Sequence, residues 1–448
     1  MTKTAGLVLK VATVSKYFII STLAISLSSY AYLFRYGPGN SSYDQCLHDT
    51  LRYSLSHDSI AEHPVDRSNR VSHVQDLDSL AAEIEALYIR STNSASPSTP
   101  HACIPKPIIF DCSSRFQECG GLGDRLKGLA STFYLALLTN SRFYYHWTFP
   151  TDVGNYFMAS NSSLSSPART ARSFMGIQYV TMFEWWCMNW HCMVRDIRRT
   201  REWNLPKLWH GYSSIISHTN MAYWDVLIQN PFLGATARRY NLHLLRQDEM
   251  FYIFTRLFFT KMTSFMGLAL EPYRDLMSPS SDRVKVGVQL RIGNDTAWHE
   301  GPRHSLAAVG CFVEKAKLKC EEGNRQSKEC LIFVSTDSQR ALELFRARFK
   351  LLGISMMATD GPISHIDKPS QSLIRQHFVD PQSIITEHSR VFMDWILLTK
   401  MDYLYISRSG FSETAAFAGM VPTERLAVRD EYRCGFYPWT GEAGSKLW

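Results

Sequence analysis

The chain has 448 residues, 45% of them apolar, 13% aromatic and 20% charged, with a net charge of +7. That composition is too hydrophobic and too weakly charged for a disordered protein, and the length exceeds what one hydrophobic core organises, so two lobes are expected. The Lys and Arg residues are spread along the chain without a basic run, zinc-finger spacing or aromatic RNA-binding signature. This argues against nucleic acid as a partner, and a small phosphate-bearing substrate accounts for the mild basicity equally well.

Tyr17 to Phe34 is an uncharged run of 18 residues, about long enough to cross a thin bilayer at roughly 1.5 Å per residue. Lys3, Lys10 and Lys16 precede it with no acidic residue, so the positive-inside rule puts residues 1–16 in the cytosol and everything after Arg35 in the lumen. A cleaved signal peptide is the competing reading, because five of the 18 residues are Ser or Thr. The run is longer than an ordinary signal core, and no small-x-small cleavage site closes it. An uncleaved signal anchor at 17–34 is therefore expected, its shortness suiting early secretory membranes.

Ten cysteines follow, Cys46, Cys103, Cys112, Cys119, Cys187, Cys192, Cys311, Cys320, Cys330 and Cys434. An even count fits disulfides in an oxidising lumen, with the connectivity open. No C-x-x-C pair or matching His pair appears, so no metal site is expected. Sequons at Asn40, Asn161 and Asn294 are compatible with the lumen.

Residues 35–100 read as a stem. Within them Val71, Val74, Leu77, Leu80, Ile84 and Leu87 recur at three- and four-residue steps and predict an amphipathic helix that either pairs with a second copy, giving a homodimer, or packs on its own chain. The only D-x-D, Asp76-Leu77-Asp78, falls in this helix and reads as solvated surface. The segment STNSASPSTP at 91–100 reads as a flexible linker.

A first lobe at 101–277 mixes short apolar runs such as Pro107 to Phe110 with helical stretches at 129–139 and 249–270. Residues 278–282 read as a linker, and a second lobe covers 283–448. Its pattern is regular: strand 284–292, helix 307–317, strand 331–335, helix 338–349, strand 354–358, then, after an irregular stretch, helix 390–400, strand 403–407, helix 413–418 and strand 426–428. Such alternation predicts a parallel Rossmann-type sheet, with ligands at the carboxyl ends of its strands.

Three motifs fall at such strand ends. VKVGVQLRIGND puts Arg291 after the first strand, where its planar fork suits a pyrophosphate, an interlobe salt bridge being the alternative. LIFVSTDSQRA runs a strand into Thr336 and Asp337, suited to a ribose or base, with Ser338 as a helix cap. In YLYISRSGFSETAAFAG, Gly410 permits a turn that aims the backbone N–H groups of Ser412 and its neighbours at an anion. The competing reading makes Ser412 an N-cap. In the first lobe CGGLGDRLKGLASTFYLALLTN puts Gly120, Gly121 and Gly123 before a long apolar helix, without the P-loop lysine or full dinucleotide spacing. There Asp124 and Arg125 either face the interlobe cleft or cap the helix.

The glycine loop, the VGVQLR strand and the segment SRVFMDWILLTKMDYLYISRSGFSETAAF together resemble the GT-B-fold fucosyltransferases, most closely the plant xyloglucan type. The matching segments cover about a quarter of the chain in the right order. The resemblance implies an α/β fold of two Rossmann-like lobes with a donor-binding C-terminal lobe, behind an N-terminal transmembrane helix and stem. It implies that Arg291 meets the diphosphate of GDP, that Ser409, Gly410, Phe411 and Ser412 lie against the donor phosphates, and that Thr336 and Asp337 belong to the donor site. Gln289 stands where bacterial and animal-type relatives have histidine, and is included in that site. Asn294-Asp295 also departs from the pattern, and residues 146–245, rich in tryptophan, match nothing in it.

The function expected is inverting transfer of L-fucose from GDP-fucose to a hydroxyl of a glycan or glycoprotein, in the Golgi membrane, with no cofactor and no metal. Arg291 and the serine turn would stabilise charge on GDP. Asp124, Asp295 and Glu413 are the carboxylates near the motifs, and Asp124 is the expected general base. Asn294, beside the expected diphosphate site, is expected to carry no glycan. The alternatives are a non-catalytic sugar-binding relative and a luminal transferase using another activated donor; a sulfotransferase would need an early phosphate-binding loop that is not found.

Overall fold

In a computed structural model, the residues described are 70–93, 107–113, 119–158, 179–182, 200–209, 214–293, 303–366, 381–427 and 433–439. The expected anchor, all three sequons, Asp295, Cys46, Cys103, Cys187 and Cys192 lie outside them. Among the described residues no helix is long and apolar enough to cross a membrane.

Helix α1 (Arg70–Asn93) forms as its spacing predicts, but its apolar face is taken up by its own chain. Leu77, Ala81, Ile84, Leu87 and Tyr88 are buried in the core. The Tyr88 hydroxyl donates to Ser141 O at 2.9 Å and accepts from Phe143 N at 2.6 Å. Asp78 accepts from the Tyr252 hydroxyl at 2.8 Å and pairs with Arg256 at 2.7 Å. The helix is thus part of the globular fold, its stripe is not free to pair with a second copy, and Asp78 of the D-x-D is a docking contact. Residues 91–93, read as linker, end this helix.

The first sheet comprises β1 (Ile108–Cys112), β2 (Phe143–Trp147), β4 (Tyr179–Met182) and β5 (Ser214–Ser217), in the order β2-β1-β5-β4 and all parallel. Between β1 and β2 runs α2 (Leu122–Leu138), whose sequence LGDRLKGLASTFYLALL is apolar almost all round because neighbours enclose it. The stretch expected as one helix over 249–270 is two. Helix α3 (Gln247–Phe258) ends, Lys261–Met262 (β6) pairs with Phe157–Met158 (β3), and Thr263 caps a new helix, Ser264–Leu270, by accepting from Met266 N at 3.3 Å. The cap and short strand override the apolar periodicity that ran across them.

The second sheet follows the sequence reading at its first strands, but the strand expected at 426–428 forms at Thr423–Leu426, the helix expected from 390 starts at Pro381, and an antiparallel strand, Phe436–Pro438, forms where none is expected. The strands are β7 (Arg283–Leu290), β8 (Glu329–Thr336), β9 (Ser355–Met357), β10 (Tyr403–Ile406), β11 (Thr423–Leu426) and β12 (Phe436–Pro438), in the order β12-β11-β10-β7-β8-β9. All pair parallel except β12. The connecting helices are α4 (Ala308–Arg325), α5 (Gln339–Leu351), α6 (Pro381–Leu398) and α7 (Gly410–Gly419). Counted from β7, this is the doubly wound order 3-2-1-4-5, in which the chain switches direction between β7 and β10. Three disulfides, Cys112–Cys119, Cys311–Cys434 and Cys320–Cys330, are present.

The two sheets share a core. Tyr156 stacks on Phe392 of α6 at 4.0 Å, Phe157 meets Trp395 edge-on, and Phe251 of α3 touches Phe417 of α7. All described residues fall in one compact unit.

Candidate active site

Where the starts of α2 and α7 meet the carboxyl ends of β7 and β8 there is a solvent-open cleft, about 700 Å³ when its open mouth is included. Arg291 enters it directly after β7. Ser407 holds it in place, its Oγ accepting from Arg291 N at 2.9 Å while donating to Gln289 Oε1 at 3.0 Å. This latch joins β7 to β10 at the switch point. The Arg291 guanidinium lies 3.3 Å from His365 Nε2.

Asp337 accepts from Ile292 N at 2.7 Å and Gly293 N at 3.1 Å. Both its oxygens therefore grip the loop that carries Arg291, so it positions that residue as well as lining the cleft. Burial raises its carboxyl, and the two backbone donors and Arg291 pull it back. Thr336 lines the cleft beside it and accepts from Ser338 N at 3.3 Å. Ser338 caps α5 through Ala341 N, as read from the sequence.

At the serine turn the competing reading, Ser412 as N-cap, is not what forms. Ser409, not Ser412, is the N-cap of α7, in extended conformation and without a capping hydrogen bond. Its Oγ is buried and has no partner. Ser409, Gly410 and Phe411 line the cleft, where the first N–H groups of a helix have no intrahelical acceptor. Ser412 faces inward with no exposure, its Oγ donating to Ser409 O at 3.2 Å. It holds the turn and does not reach the cleft.

From the first lobe, Gly121, Gly123 and Asp124 line the opposite wall. Gly120 has φ +73°, a left-handed conformation suited to glycine, and a Cβ on Gly123 would lie 2.2 Å from the Gly410 carbonyl carbon. The glycines thus let α2 and α7 meet almost backbone to backbone. Arg125, expected in the cleft or at a cap, is fully buried. It donates to Gly120 O at 2.8 Å, to Phe149 O and to Ile366 O at 3.4 Å, with its guanidinium over the Trp147 ring. Its role is to tie the glycine loop to the segment after β9.

Of the carboxylates near the motifs, Glu413 is engaged on both oxygens, by Lys127 at 3.4 Å and Arg425 at 2.9 Å. This buried group bridges α2 and α7. Asp124 stands at the cleft wall; burial raises its carboxyl, while Lys127, Arg291 and the Gly121 backbone draw it down. Sequence reasoning missed the cleft residues of 363–366 and of α6, among them the ionisable His365, Arg390 and Asp394. Asp394 accepts from Ser335 Oγ at 2.7 Å and from Thr359. The signal was present in α6, where Arg390 and Asp394 are charged residues four apart in an otherwise apolar run. Among the described residues no group of three or more His, Cys, Asp or Glu is arranged to hold a metal ion.

No protein-family model matches the sequence, and no curated protein matches it. Solved structures do match by shape. An Arg-to-Lys mutant of Arabidopsis thaliana FUT1 in complex with GDP superposes with TM-score 0.50 and 14% identity, over 87% of this chain and 85% of that one. NodZ α-1,6-fucosyltransferase co-crystallised with GDP gives TM-score 0.41 and 14% identity, over 72% of this chain and 95% of its own. POFUT1 in complex with GDP gives 0.35 and 11%, over 71% and 98%. The α/β fold therefore resembles that of GT-B glycosyltransferases, as the family resemblance in the sequence implied.

Proposed function

We propose that the protein is a fucosyltransferase that binds GDP-fucose in this cleft and transfers L-fucose, with inversion and without a metal, to a hydroxyl of a glycan or glycoprotein. The observation that carries the reading is the meeting of Arg291, the Ser409–Phe411 turn and Asp124 on one cleft at the switch point of the second sheet. The likeness to a GDP-bound plant protein suggests the nucleotide. In the reaction the acceptor oxygen attacks fucose C1 and forms the new C1–O bond. The bond from C1 to the β-phosphate oxygen breaks, its electron pair leaves with GDP, and the acceptor proton passes to Asp124. Arg291 and the N–H groups at the start of α7 stabilise the charge that grows on the diphosphate. Asp124 suits the base role because it lines the cleft, whereas Glu413 is held by two cations, and the other cleft carboxylates, Asp337 and Asp394, are engaged by backbone N–H groups and by hydroxyls.

We further propose residence in the Golgi membrane through an anchor at 17–34, with the fold luminal. The three disulfides among the described residues favour an oxidising compartment. Protease protection of the chain in intact microsomes tests this, and digestion without detergent would refute it. For the activity, the test is calorimetric titration with GDP, UDP and ADP, followed by a transfer assay with GDP-fucose and a glycan panel. Selective GDP binding with transfer is expected. Binding without transfer or donor hydrolysis would make the protein a non-catalytic relative.

A further inference from the structure

Arg390 stands one helical turn before Asp394 on α6, and both line the cleft. The side chain is only 5% exposed. Its Nη1 donates to Gly361 O, whereas Nη2 is buried with no hydrogen-bond partner. Asp394 accepts hydrogen bonds from two hydroxyls, those of Ser335 and Thr359; burial raises its carboxyl, and the Arg390 charge one turn away draws it down without hydrogen-bonding it. A buried donor left unpaired is costly, and at the wall of a ligand cleft it marks a place that a ligand completes.

The position of Arg390 decides which part of a ligand it meets. Arg291 and the Ser409–Phe411 turn stand at the ends of β7 and β10, the two strands that flank the switch point. Arg390 belongs to the other flank, since its helix is bonded to the end of β8 through Ser335 and its Nη1 to the loop after β9. Those strands lie one and two positions from β7, roughly 5–10 Å away at the usual strand spacing. A nucleoside extends about that far from its diphosphate. A guanidinium can only donate. Guanine offers two adjacent acceptors, O6 and N7, whereas adenine sets an amino donor beside its N7.

We propose that Arg390 reads the nucleobase of the donor, selecting guanine over adenine by donating from Nη2 to the O6 and N7 edge. This rests on the reading that the cleft holds a GDP-sugar. The test is calorimetry on the full chain with GDP, inosine diphosphate, 7-deaza-GDP, ADP and inorganic pyrophosphate, for wild type, Arg390→Ala, Arg390→Lys and Arg291→Ala, with thermal unfolding to check that each variant folds.

In both Arg390 variants GDP and inosine diphosphate, which keeps O6 and N7, should weaken on the order of 10- to 100-fold. ADP and pyrophosphate should be unchanged, so the preference for GDP over ADP collapses. Arg291→Ala should weaken every ligand, pyrophosphate included. On wild type, 7-deaza-GDP should bind several-fold more weakly than GDP, a comparison that needs no variant to fold. An unchanged GDP-to-ADP ratio in the Arg390 variants, equal binding of 7-deaza-GDP, or loss of pyrophosphate alongside GDP would overturn the inference. The last would make Arg390 a phosphate ligand, and Lys would then largely rescue it. Wild-type protein that binds no nucleotide would instead overturn the donor reading itself, and this inference with it.

Discussion

The wall of the cleft contributed by the second lobe draws its groups from the ends of β8, β7 and β10, so Thr336, Arg291 and Ser409 are held by backbone pairing and by the Gln289–Ser407 latch. The facing wall is one helix start, Gly121 to Asp124, held by Arg125 and by packing against α7. A sheet edge suits a ligand of fixed shape such as a nucleoside diphosphate, because its groups cannot move independently. A single helix start brings one carboxylate and leaves room for a variable acceptor. The comparison implies that damage to the second wall removes binding, while damage to the first removes chemistry or the docking of the lobes.

The largest effect should come from removing α1, which supports the first lobe from behind. Protein beginning near His101 loses Leu77, Ile84, Leu87 and Tyr88 from the core. At about 1.5–3 kcal/mol per large buried side chain, the loss approaches the roughly 5–15 kcal/mol that keeps a domain folded. Such protein should be insoluble or molten by near-UV circular dichroism, whereas protein beginning before Arg70 should give one cooperative transition. Equal melting temperatures for the two would mean that α1 is a detachable stem.

Next in size, Arg291→Ala should lower turnover by about 10²–10³-fold and markedly weaken GDP binding while leaving the melting temperature of the free protein within a few degrees. If GDP affinity survives with turnover lost, the second wall would not be the binding wall. Asp124→Asn should instead keep GDP affinity and lower turnover by on the order of 10²-fold. Burial raises the Asp124 carboxyl, so it holds its proton to higher pH than an ordinary aspartate. The rate should therefore fall with decreasing pH through a limb above the usual carboxylate range, and in the Asn variant that limb should vanish. A wild-type profile flat to pH 4 would remove Asp124 as the base.

The second lobe was legible because parallel strands buried on both faces read as apolar runs, and each is followed by a helix of clear periodicity. VKVGVQL, LIFVS and YLYI all formed where their composition put them. Arg291, Thr336, Asp337 and the Ser409–Phe411 turn come to one cleft because strand ends are local features of sequence. What sequence could not resolve were directions and partners. Ser412 and Arg125 sit within one residue of cleft-lining groups yet turn inward, since helical rotation of about 100° per residue decides which side chain faces a ligand. Asp78 and Glu413 found cations brought close only by folding, Arg256 for the one and Lys127 and Arg425 for the other. The break at Lys261 depends on pairing with Phe157–Met158, about a hundred residues earlier, so the local pattern did not contain it.

The smallest effect, and the one most specific to the junction of the walls, is expected at two glycines of α2. A methyl group on Gly123 would fall 2.2 Å from the carbonyl carbon and oxygen of Gly410 and 2.4 Å from Phe411 N, backbone atoms of the other lobe. One on Gly128 would fall 1.9 Å from Thr219 O, within its own lobe. Each alanine gains up to about 1 kcal/mol of helix propensity and meets an overpacking penalty of typically 1–3 kcal/mol. Gly123→Ala can relieve its clash by moving α2 away from α7, which shifts the serine turn against Arg291. It should weaken GDP by several-fold and also lower the melting temperature, since the contacted atoms are backbone and must move. Gly128→Ala has no such hinge and should lower the melting temperature while leaving GDP affinity as it was. Equal effects of the two on affinity would mean that the walls move together as one rigid body, and that the contact between α2 and α7 does not set the width of the donor site.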